Sequence, residues 1–283
     1  MRERDRGPLQ PRSSEGSAVE VRIGTRVVQV IDRTEPGPQG VQASPEGALT
    51  VLLPVHNEAQ TIEKVLAGFW QEVVQPLSAK ILICEDGSTD GTERVLERLA
   101  QTYPMQFVAE SERKGYAGAV RDGLEQVDTP QVFFADSDGQ YYPEDFWKLW
   151  PHLADYDMVI GRKVKRDEPR HRLVLSRGFH LLAKLMTGVP LTDMDCGFRL
   201  LRREVVDAVL PEVGALPYSF WAEFTILAYK RGLRILEVPV SHRSRLHGET
   251  SIYQWNRLPM IVDRQFRGLA TLSRRLRGQA GKI

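Results

Sequence analysis

The 283-residue sequence has few of the features that mark several specialised protein classes. It contains only two cysteines, Cys84 and Cys196, which stand far apart without a CxxC or Cys/His spacing. This pattern argues against a disulfide framework and against a structural zinc site, and it is typical of reduced thiols in a cytosolic protein. The formal net charge is only +1, so we expect no nucleic-acid partner bound by bulk electrostatics.

Long apolar runs are also missing. Stretches such as residues 51–55 and 81–84 are far shorter than the roughly 20 residues needed to cross a bilayer, so we expect no transmembrane helix. The first six residues carry mixed charge with no apolar run behind them, and we therefore expect no secretory signal. The composition, 42% hydrophobic and 27% charged, is that of a folded chain with a sizeable core.

The chain divides by composition into three parts. Residues 1–46 form an N-terminal extension, polar up to about residue 18, where we expect disorder, and followed by a candidate hairpin with alternating valines. Residues 47–252 alternate strand and helix patterns, which predicts one α/β domain. Residues 253–283 carry an apolar stripe and many arginines, which is typical of a basic amphipathic helix.

The α/β part has a regular alternation that predicts a mostly parallel sheet flanked by helices. Strands are predicted at residues 49–55, 80–84, 105–109, 131–135, 158–161 and 235–240. Helices are predicted at residues 59–72, 89–100, 116–127, 173–186, 204–210 and 220–231.

A cluster of oxygen ligands follows one of these strands. Asp136, Asp138 and Gln140 come directly after the apolar run 132–135, at the end of a strand that we expect to be buried. Carboxylate and amide oxygens suit Mg²⁺ or Mn²⁺, which keep coordination positions free for substrate phosphates. Because ligands of open α/β sheets bind at strand ends, this cluster predicts a nucleotide-linked substrate.

Two other polar segments follow strands of the same predicted sheet. Residues 54–58 (Pro-Val-His-Asn-Glu) end the first strand, and residues 85–92 (Glu-Asp-Gly-Ser-Thr-Asp-Gly-Thr) end the second. The carboxyl ends of parallel strands line one crevice, so the three segments are expected to share a ligand. Taken alone, Asp86 or Ser88 could equally be a helix cap or a turn residue.

These segments resemble motifs of the family 2 glycosyltransferases of GT-A, Rossmann-like fold. The likeness is strongest to their polyprenyl-phosphate branch, which includes dolichol-phosphate mannose synthase. Residues 54–58 resemble PxYNE, residues 85–92 resemble DDGSxDGT, residues 136–140 resemble DADxQ, and residues 193–199 resemble DxxxGFR. The resemblance implies metal-dependent, inverting transfer of a hexose from a nucleoside-diphosphate sugar to a polyprenyl phosphate.

The same resemblance implies roles for individual residues on the donor side. The metal ligands would be Asp136, Asp138 and Gln140. Donor-binding residues would be Pro54, His56, Glu58, Asp86, Ser88, Lys114 and Asp136. His56 stands where the family has an aromatic residue and Glu85 where it has aspartate, so GDP-linked and UDP-linked sugars both stay open. Lys114 belongs to a glycine-rich helix start that suits either phosphate contact or close helix packing.

The acceptor determines whether the reaction needs a base. A sugar hydroxyl requires a carboxylate, for which Glu223 and Asp195 are candidates, whereas a phosphate monoester arrives already anionic and requires arginines. The candidate catalytic residues are Asp138, Glu223 and Arg199. Candidate acceptor-phosphate residues, by their match to the polyprenyl branch, are Arg162, Arg172, Ser176 and Arg245. The alternatives are a solvated basic loop for these arginines and a soluble or glycan hydroxyl as acceptor.

The C-terminal helix can be interpreted in two ways. Its apolar stripe and arginines suit an anionic membrane surface, which would make the protein a peripheral enzyme on the cytoplasmic face. The stripe could equally pack on the catalytic domain or on a second subunit in a homodimer.

Overall fold

A computed structural model describes residues 18–23, 26–31, 47–109, 112–164, 170–245 and 258–280. The side chains of residues 18–31, 170–174 and 279–280 lie outside this description. The expected disorder before about residue 18 also falls outside it.

The described strands form one nine-stranded sheet, in the order β1-β2-β9-β7-β8-β6-β3-β4-β5. The strands are β1 (Ala18–Ile23), β2 (Arg26–Ile31), β3 (Leu49–Val55), β4 (Lys80–Glu85), β5 (Gln106–Ala109), β6 (Gln131–Ala135), β7 (Met158–Lys163), β8 (Phe198–Arg202) and β9 (Ile235–Val240). β1 and β2 pair antiparallel at the positions predicted for a hairpin, and β2 continues the sheet beside β9.

Most pairs of neighbouring strands in the sheet are parallel. β3 pairs in parallel with β4 and with β6, in registers that set Val55 opposite Glu85 and Leu49 opposite Gln131. β5 joins β4 and β7 joins β9 in the same sense. The predicted mostly parallel α/β sheet is therefore confirmed, and its registers bring the carboxyl ends of β3, β4 and β6 to one edge.

One strand was missed by the sequence prediction. β8 lies between β6 and β7 and pairs antiparallel with both. Its burial shows no alternation, because Phe198, Arg199, Leu200 and Leu201 are all buried. A short strand covered on both faces lacks the period-two pattern that marks a half-exposed strand.

Helices cover both faces of the sheet. They are α1 (Ile62–Phe69), α2 (Gln75–Leu77), α3 (Thr92–Ala100), α4 (Tyr116–Gln126), α5 (Phe146–Leu149), α6 (Arg170–Thr187), α7 (Arg203–Val209), α8 (Phe220–Lys230) and α9 (Leu258–Ala280). Short 3₁₀ turns flank α5 at Pro143–Asp145 and Trp150–Ala154. The helix predicted at residues 59–72 begins later, at Ile62, and a π turn at Trp70–Val74 continues it into α2.

Aromatic side chains hold β6 from both faces. The Phe133 ring lies 4.8 Å from that of Phe146 and 4.9 Å from that of Phe198. The adjacent Phe134 ring lies 4.6 Å from that of Trp221 in α8. Because buried aromatic pairs pack in defined geometries, the strand end that carries Asp136 has a fixed position.

The C-terminal helix packs on the domain through only part of its predicted stripe. Ile261, Leu269 and Leu272 are buried, whereas Val262 and Phe266 are each 52% exposed. The Ser273 hydroxyl donates to the Met186 carbonyl, 2.8 Å away at the end of α6. In the described part of the chain, no helix combines the length and hydropathy needed to cross a bilayer.

Candidate active site

The predicted acidic cluster lies at the end of β6. The Asp136 amide donates to the Gly197 carbonyl at 2.9 Å, which extends the β6–β8 pairing by one residue. A Cβ on Gly197 would lie 1.9 Å from Asp136 Oδ2, so only glycine leaves room for this carboxylate. Burial, followed by the nearby charge of Asp138, raises the pKa of Asp136 to about 7.

Asp138 and Gln140 form the second half of the cluster. Asp138 Oδ1 accepts the Gln140 amide N–H at 3.1 Å, and Gln140 Nε2 donates to the Arg243 carbonyl at 3.0 Å. The side-chain amide nitrogen of Gln140 is thereby engaged, and the side-chain oxygen is the atom suited to bind a cation. Burial raises the pKa of Asp138, and the positive charge of Arg245 opposes that shift.

Asp86 is held by the start of α4. Its Oδ1 accepts the amide N–H groups of Lys114 and Gly115, at 2.7 and 3.1 Å. The glycine-rich helix start therefore binds a carboxylate of its own chain. The Lys114 ammonium lies 2.5 Å from Asp122, along the helix.

The ends of β3 and β4 are joined through side chains. His56 Nδ1 lies 2.8 Å from the Asp86 carbonyl, and Ser88 Oγ accepts the Asn57 amide at 2.9 Å. Ser137 Oγ donates to the Pro54 carbonyl at 2.6 Å and so ties β6 to β3. The three predicted segments therefore form one connected edge, and Pro54, His56, Asp86 and Ser88 lie together within it.

Glu58 is a buried carboxylate at this edge. Its Oε1 accepts from Arg245 Nη2 at 2.9 Å, and its Oε2 accepts the Thr61 hydroxyl. Burial raises the pKa of Glu58, and both of these partners oppose the rise. The same Arg245 nitrogen lies 3.7 Å from Asp138 Oδ2, so Arg245 connects the predicted donor and metal residues.

A basic cavity of about 290 Å³ lies beside the end of β7. Its lining comprises Arg162, Lys163, Val164, Arg177, His180, Thr192 and Asp193. Lys163 links this cavity to the acidic cluster, because its positive charge opposes the rise in the pKa of both Asp136 and Asp138. Arg162, a predicted acceptor-phosphate residue, therefore lines this cavity. Ser176 lies on α6 beside Arg177, and the side chain of Arg172 lies outside the described residues.

Arg199 and Glu223, both predicted to be catalytic, have side chains that are 0% exposed and engaged by other parts of the protein. Arg199 Nε donates to the Cys196 carbonyl at 3.0 Å, and its guanidinium stacks 4.0 Å from the Trp221 ring centre. Glu223 Oε1 and Oε2 accept the Ala215 amide at 2.9 and 2.8 Å, and Oε2 also accepts that of Leu216. Buried groups with such partners hold loops and strands in place.

The other carboxylate considered as a base, Asp195, has a different environment. Its Oδ1 accepts the Ala222 amide at 3.2 Å. Burial raises its pKa to about 6, and Lys163 and Arg199 oppose the rise. A carboxylate with a pKa near neutrality suits proton transfer.

Tyr116 was missed by the sequence prediction, and the structure brings its hydroxyl to Asp136. The Tyr116 hydroxyl donates to Asp136 Oδ1 at 2.8 Å. In a sequence, an aromatic residue at the start of a helix is normally interpreted as a packing residue. Arg177 and His180, both in the basic cavity, were missed for a similar reason, because nothing in the sequence places α6 against β7.

The oxygen ligands of the acidic cluster fit a magnesium-type cation. Mg²⁺ is commonly bound through one or two carboxylates together with substrate phosphates, and Asp136 and Asp138 supply two. Within the described residues, no group of three or more His, Cys, Asp or Glu side chains forms a complete metal cage. The remaining oxygens would have to come from Gln140, water and a phosphorylated ligand.

Comparison with known proteins agrees with this geometry. The model of the family described as glycosyl transferase family 2 matches residues 50–210, which include the three strand ends and the Gly197 turn. The chain belongs to glycosyl transferase family 2. It is therefore a glycosyltransferase by family, and the predicted resemblance is confirmed.

Three relatives with similar sequences are named as transferases of polyprenol or undecaprenyl phosphate. Polyprenol monophosphomannose synthase of Mycolicibacterium smegmatis is 27% identical over 207 residues, covering 69% of this chain and 77% of the relative. Undecaprenyl-phosphate mannosyltransferase of Micrococcus luteus is 28% identical over 212 residues, covering 71% and 86%. Undecaprenyl-phosphate 4-deoxy-4-formamido-L-arabinose transferase of Pseudomonas fluorescens is 28% identical over 223 residues, covering 77% and 64%.

A solved structure confirms the GT-A fold. Glucosyl-3-phosphoglycerate synthase of Mycobacterium tuberculosis, in complex with Mn²⁺, UDP and phosphoglyceric acid, has a TM-score of 0.62 at 21% identity. The match covers 80% of this chain and 78% of that one. This family 2 glycosyltransferase therefore has the GT-A, Rossmann-like fold predicted from its motifs.

Proposed function

We propose that this glycosyltransferase moves a hexose from a nucleoside-diphosphate sugar to the phosphate of a polyprenyl phosphate, with inversion and with Mg²⁺ or Mn²⁺. The observation that carries the proposal is the basic cavity beside the acidic strand end. A cavity lined by Arg162, Lys163 and Arg177 suits an anionic acceptor, because guanidinium groups bind phosphate oxygens through paired hydrogen bonds. The names of the relatives support the same acceptor class.

On the donor side, Asp136 and Asp138, with Gln140, would hold the cation. A bound cation supplies stabilisation of the negative charge that develops on the departing nucleoside diphosphate. Asp86 and Glu58 would contact the nucleoside. Asp86 is oriented by the start of α4 and Glu58 by Arg245, so the donor would meet preformed polar groups.

On the acceptor side, the phosphate needs no general base. A phosphate monoester has a second pKa of about 6 and arrives largely as a dianion at neutral pH. One of its oxygens would form the new bond to the anomeric carbon while the bond from that carbon to the diphosphate oxygen breaks. Attack from the face opposite the leaving group gives inversion. Arg162 and Arg245 would hold the phosphate during this displacement.

The exposed surfaces of α6 and α9 support a peripheral position at the cytoplasmic face of the membrane. α6 and α9 pack together, and they leave Leu181, Leu185, Val262 and Phe266 exposed. Exposed arginines on α9 are Arg264, Arg267, Arg274 and Arg277. Apolar side chains beside arginines suit the interface of an anionic bilayer, where a lipid acceptor would be presented.

A soluble hydroxyl acceptor is the second candidate. It is favoured by Asp195, whose pKa of about 6 would suit a general base. The solved glucosyl-3-phosphoglycerate synthase, whose complex contains phosphoglyceric acid, gives a model for such an acceptor. In this case the basic cavity would bind the anionic groups of the acceptor, and Asp195 would take the proton from its hydroxyl.

Radiolabelled transfer with the full chain tests these alternatives. GDP- and UDP-linked sugars with Mn²⁺ would be offered with a short polyprenyl phosphate, the matching polyprenol, or phosphoglyceric acid. We expect labelled lipid only with the polyprenyl phosphate, and a loss of activity in Asp138→Asn. Label on phosphoglyceric acid alone, abolished by Asp195→Asn, would replace the proposal with the second candidate.

The nucleotide can be identified in the same preparation. A thermal-shift series with GDP and UDP in Mn²⁺ compares the two bases directly. A ligand at 100 times its Kd stabilises the folded state by about 2.7 kcal/mol. No stabilisation by either nucleotide would contradict the donor site itself.

A further inference from the structure

A hydrogen-bonded chain of side chains ends on the acidic cluster. The indole Nε1–H of Trp221 donates to the Tyr116 hydroxyl at 3.1 Å, and that hydroxyl donates to Asp136 Oδ1 at 2.8 Å. Trp221 is fully buried beneath Phe134 and Arg199. Because the indole has one fixed donor, it sets the direction in which the Tyr116 hydroxyl points its proton.

The Asp136 carboxylate is thereby restrained on two sides. Gly197 faces Oδ2 so closely that an added Cβ would lie at 1.9 Å. Tyr116 binds Oδ1 from its position at the first turn of α4. A carboxylate restrained in this way has little freedom to rotate about its Cβ–Cγ bond, and its remaining lone pairs have a defined direction.

Tyr116 also joins the donor and metal parts of the site. The two residues before it, Lys114 and Gly115, donate their amide hydrogens to Asp86 Oδ1. Three consecutive residues at one helix start thus hold Asp86 through the backbone and Asp136 through a side chain. A shift of α4 would move both carboxylates together.

We propose that Tyr116 is a positioning residue that orients Asp136 for the divalent cation, with Trp221 fixing the hydroxyl. This inference rests on the proposed function, because it assumes a cation at Asp136. Hydrogen bonds to metal-ligating side chains fix their orientation, and their loss commonly weakens metal binding by about 10-fold to 100-fold. Tyr116 would act through Asp136 and would not touch the metal.

A purely structural role for this hydroxyl would give a different result. The Tyr116 residue is 39% exposed, so its ring contributes less packing than a fully buried ring. Tyr116→Phe keeps the ring and removes only the hydroxyl. We therefore expect the fold to remain and the metal affinity to change.

The test measures Mn²⁺ binding to the full chain by isothermal titration in the presence of saturating UDP or GDP, whichever the thermal-shift series selects. Tyr116→Phe is compared with wild type and with Tyr103→Phe, a matched change at a ring that packs on Trp70, away from the acidic cluster. We expect the Mn²⁺ Kd to rise about 10-fold to 100-fold in Tyr116→Phe, and to stay unchanged in Tyr103→Phe. Transfer by Tyr116→Phe should recover as Mn²⁺ is raised.

The outcomes separate this inference from the proposed function. If wild type and Tyr116→Phe bind Mn²⁺ equally, the positioning role is wrong and the proposed function stands. If wild type binds no Mn²⁺ with either nucleotide, the metal-dependent function fails and the inference fails with it. A loss of transfer in Tyr116→Phe that raised Mn²⁺ does not restore would also overturn the positioning role.

Discussion

Arg245 and Glu58, 187 positions apart in the sequence, form an ion pair of 2.9 Å at the edge of the sheet. The same guanidinium nitrogen lies 3.7 Å from Asp138. One arginine therefore contacts the carboxylate predicted for the nucleoside and the carboxylate predicted for the metal. We therefore expect a change at Arg245 to affect the binding of the proposed donor and of the proposed acceptor.

Arg245→Ala should weaken use of a phosphate acceptor. The lost charge-assisted contacts are each worth about 1.5–3 kcal/mol, or roughly 10-fold to 100-fold in the acceptor KM. Steady-state kinetics with varied polyprenyl phosphate measure this. Arg98→Ala is the control, because Arg98 forms an exposed ion pair with Glu63, and such pairs contribute little. An unchanged acceptor KM in Arg245→Ala would count against the acceptor role.

Gly197→Ala should abolish metal binding while leaving most of the fold intact. The new methyl group would lie 1.9 Å from Asp136 Oδ2 and must displace that carboxylate. Gly178→Ala on α6 is the matched control, since nothing lies within 4 Å of its added Cβ. Calorimetric titration with Mn²⁺ and nucleotide compares the two variants. Normal Mn²⁺ binding by Gly197→Ala would show that Asp136 is not a ligand.

Metal binding should strengthen as the pH rises toward 7. Burial and Asp138 raise the pKa of Asp136 to about 7, so below that pH its carboxyl must lose a proton before it binds a cation. The apparent Mn²⁺ affinity should therefore rise by about tenfold per pH unit up to about pH 7, and then level off.

The metal-free protein should show the opposite trend in stability. Between about pH 4 and pH 7 the folded state keeps the Asp136 proton that the unfolded chain has lost, so raising the pH through this range lowers the free energy of unfolding. Urea titrations at several pH values in this range measure how the free energy of unfolding changes with pH. The slope for wild type is compared with the slope for Asp136→Asn. Equal slopes in the two proteins would contradict the raised pKa.

Glu223→Gln should lower stability more than it lowers catalysis. Both oxygens of Glu223 accept backbone N–H groups, and the variant sets an amide NH₂ against one of these donors. An unsatisfied buried donor costs about 1–3 kcal/mol in the free energy of unfolding, which urea titration would detect. Glu63→Gln, at an exposed carboxylate, is the control. A fall in kcat of about 100-fold or more at unchanged stability would restore Glu223 as a base.

Phe266→Glu should weaken binding to anionic vesicles. Phe266 is an exposed apolar residue of α9, and a carboxylate there would be repelled by anionic lipid and would remove apolar contact. Thr271→Glu adds the same charge to an exposed position of the same helix without removing an aromatic ring. Co-sedimentation with vesicles containing phosphatidylglycerol compares them. Equal binding of Phe266→Glu and wild type would argue that this surface does not meet the membrane.

Much of the sheet edge that carries Asp86 and Asp136 was predictable, because its residues are close in sequence to strand ends. The end of β6 is followed directly in the sequence by the segment that contains Asp136, Asp138 and Gln140. Parallel pairing of β3, β4 and β6 follows from the alternation of strands and helices. Local spacing was therefore enough to place Pro54, Asp86 and Asp136 at one edge. It was not enough to find β8, whose residues are buried on both faces.

The amino-acid sequence by itself determined the α/β class and the chemistry carried by the strand-end motifs, because both depend on neighbours along the chain. Only the tertiary structure decided which charged groups face the site. Packing of β8 and α8 buries Arg199 and Glu223, and the start of α4 brings the Tyr116 hydroxyl to Asp136. The solvation and partners of a side chain depend on elements distant in sequence, and no local pattern of residues records those contacts.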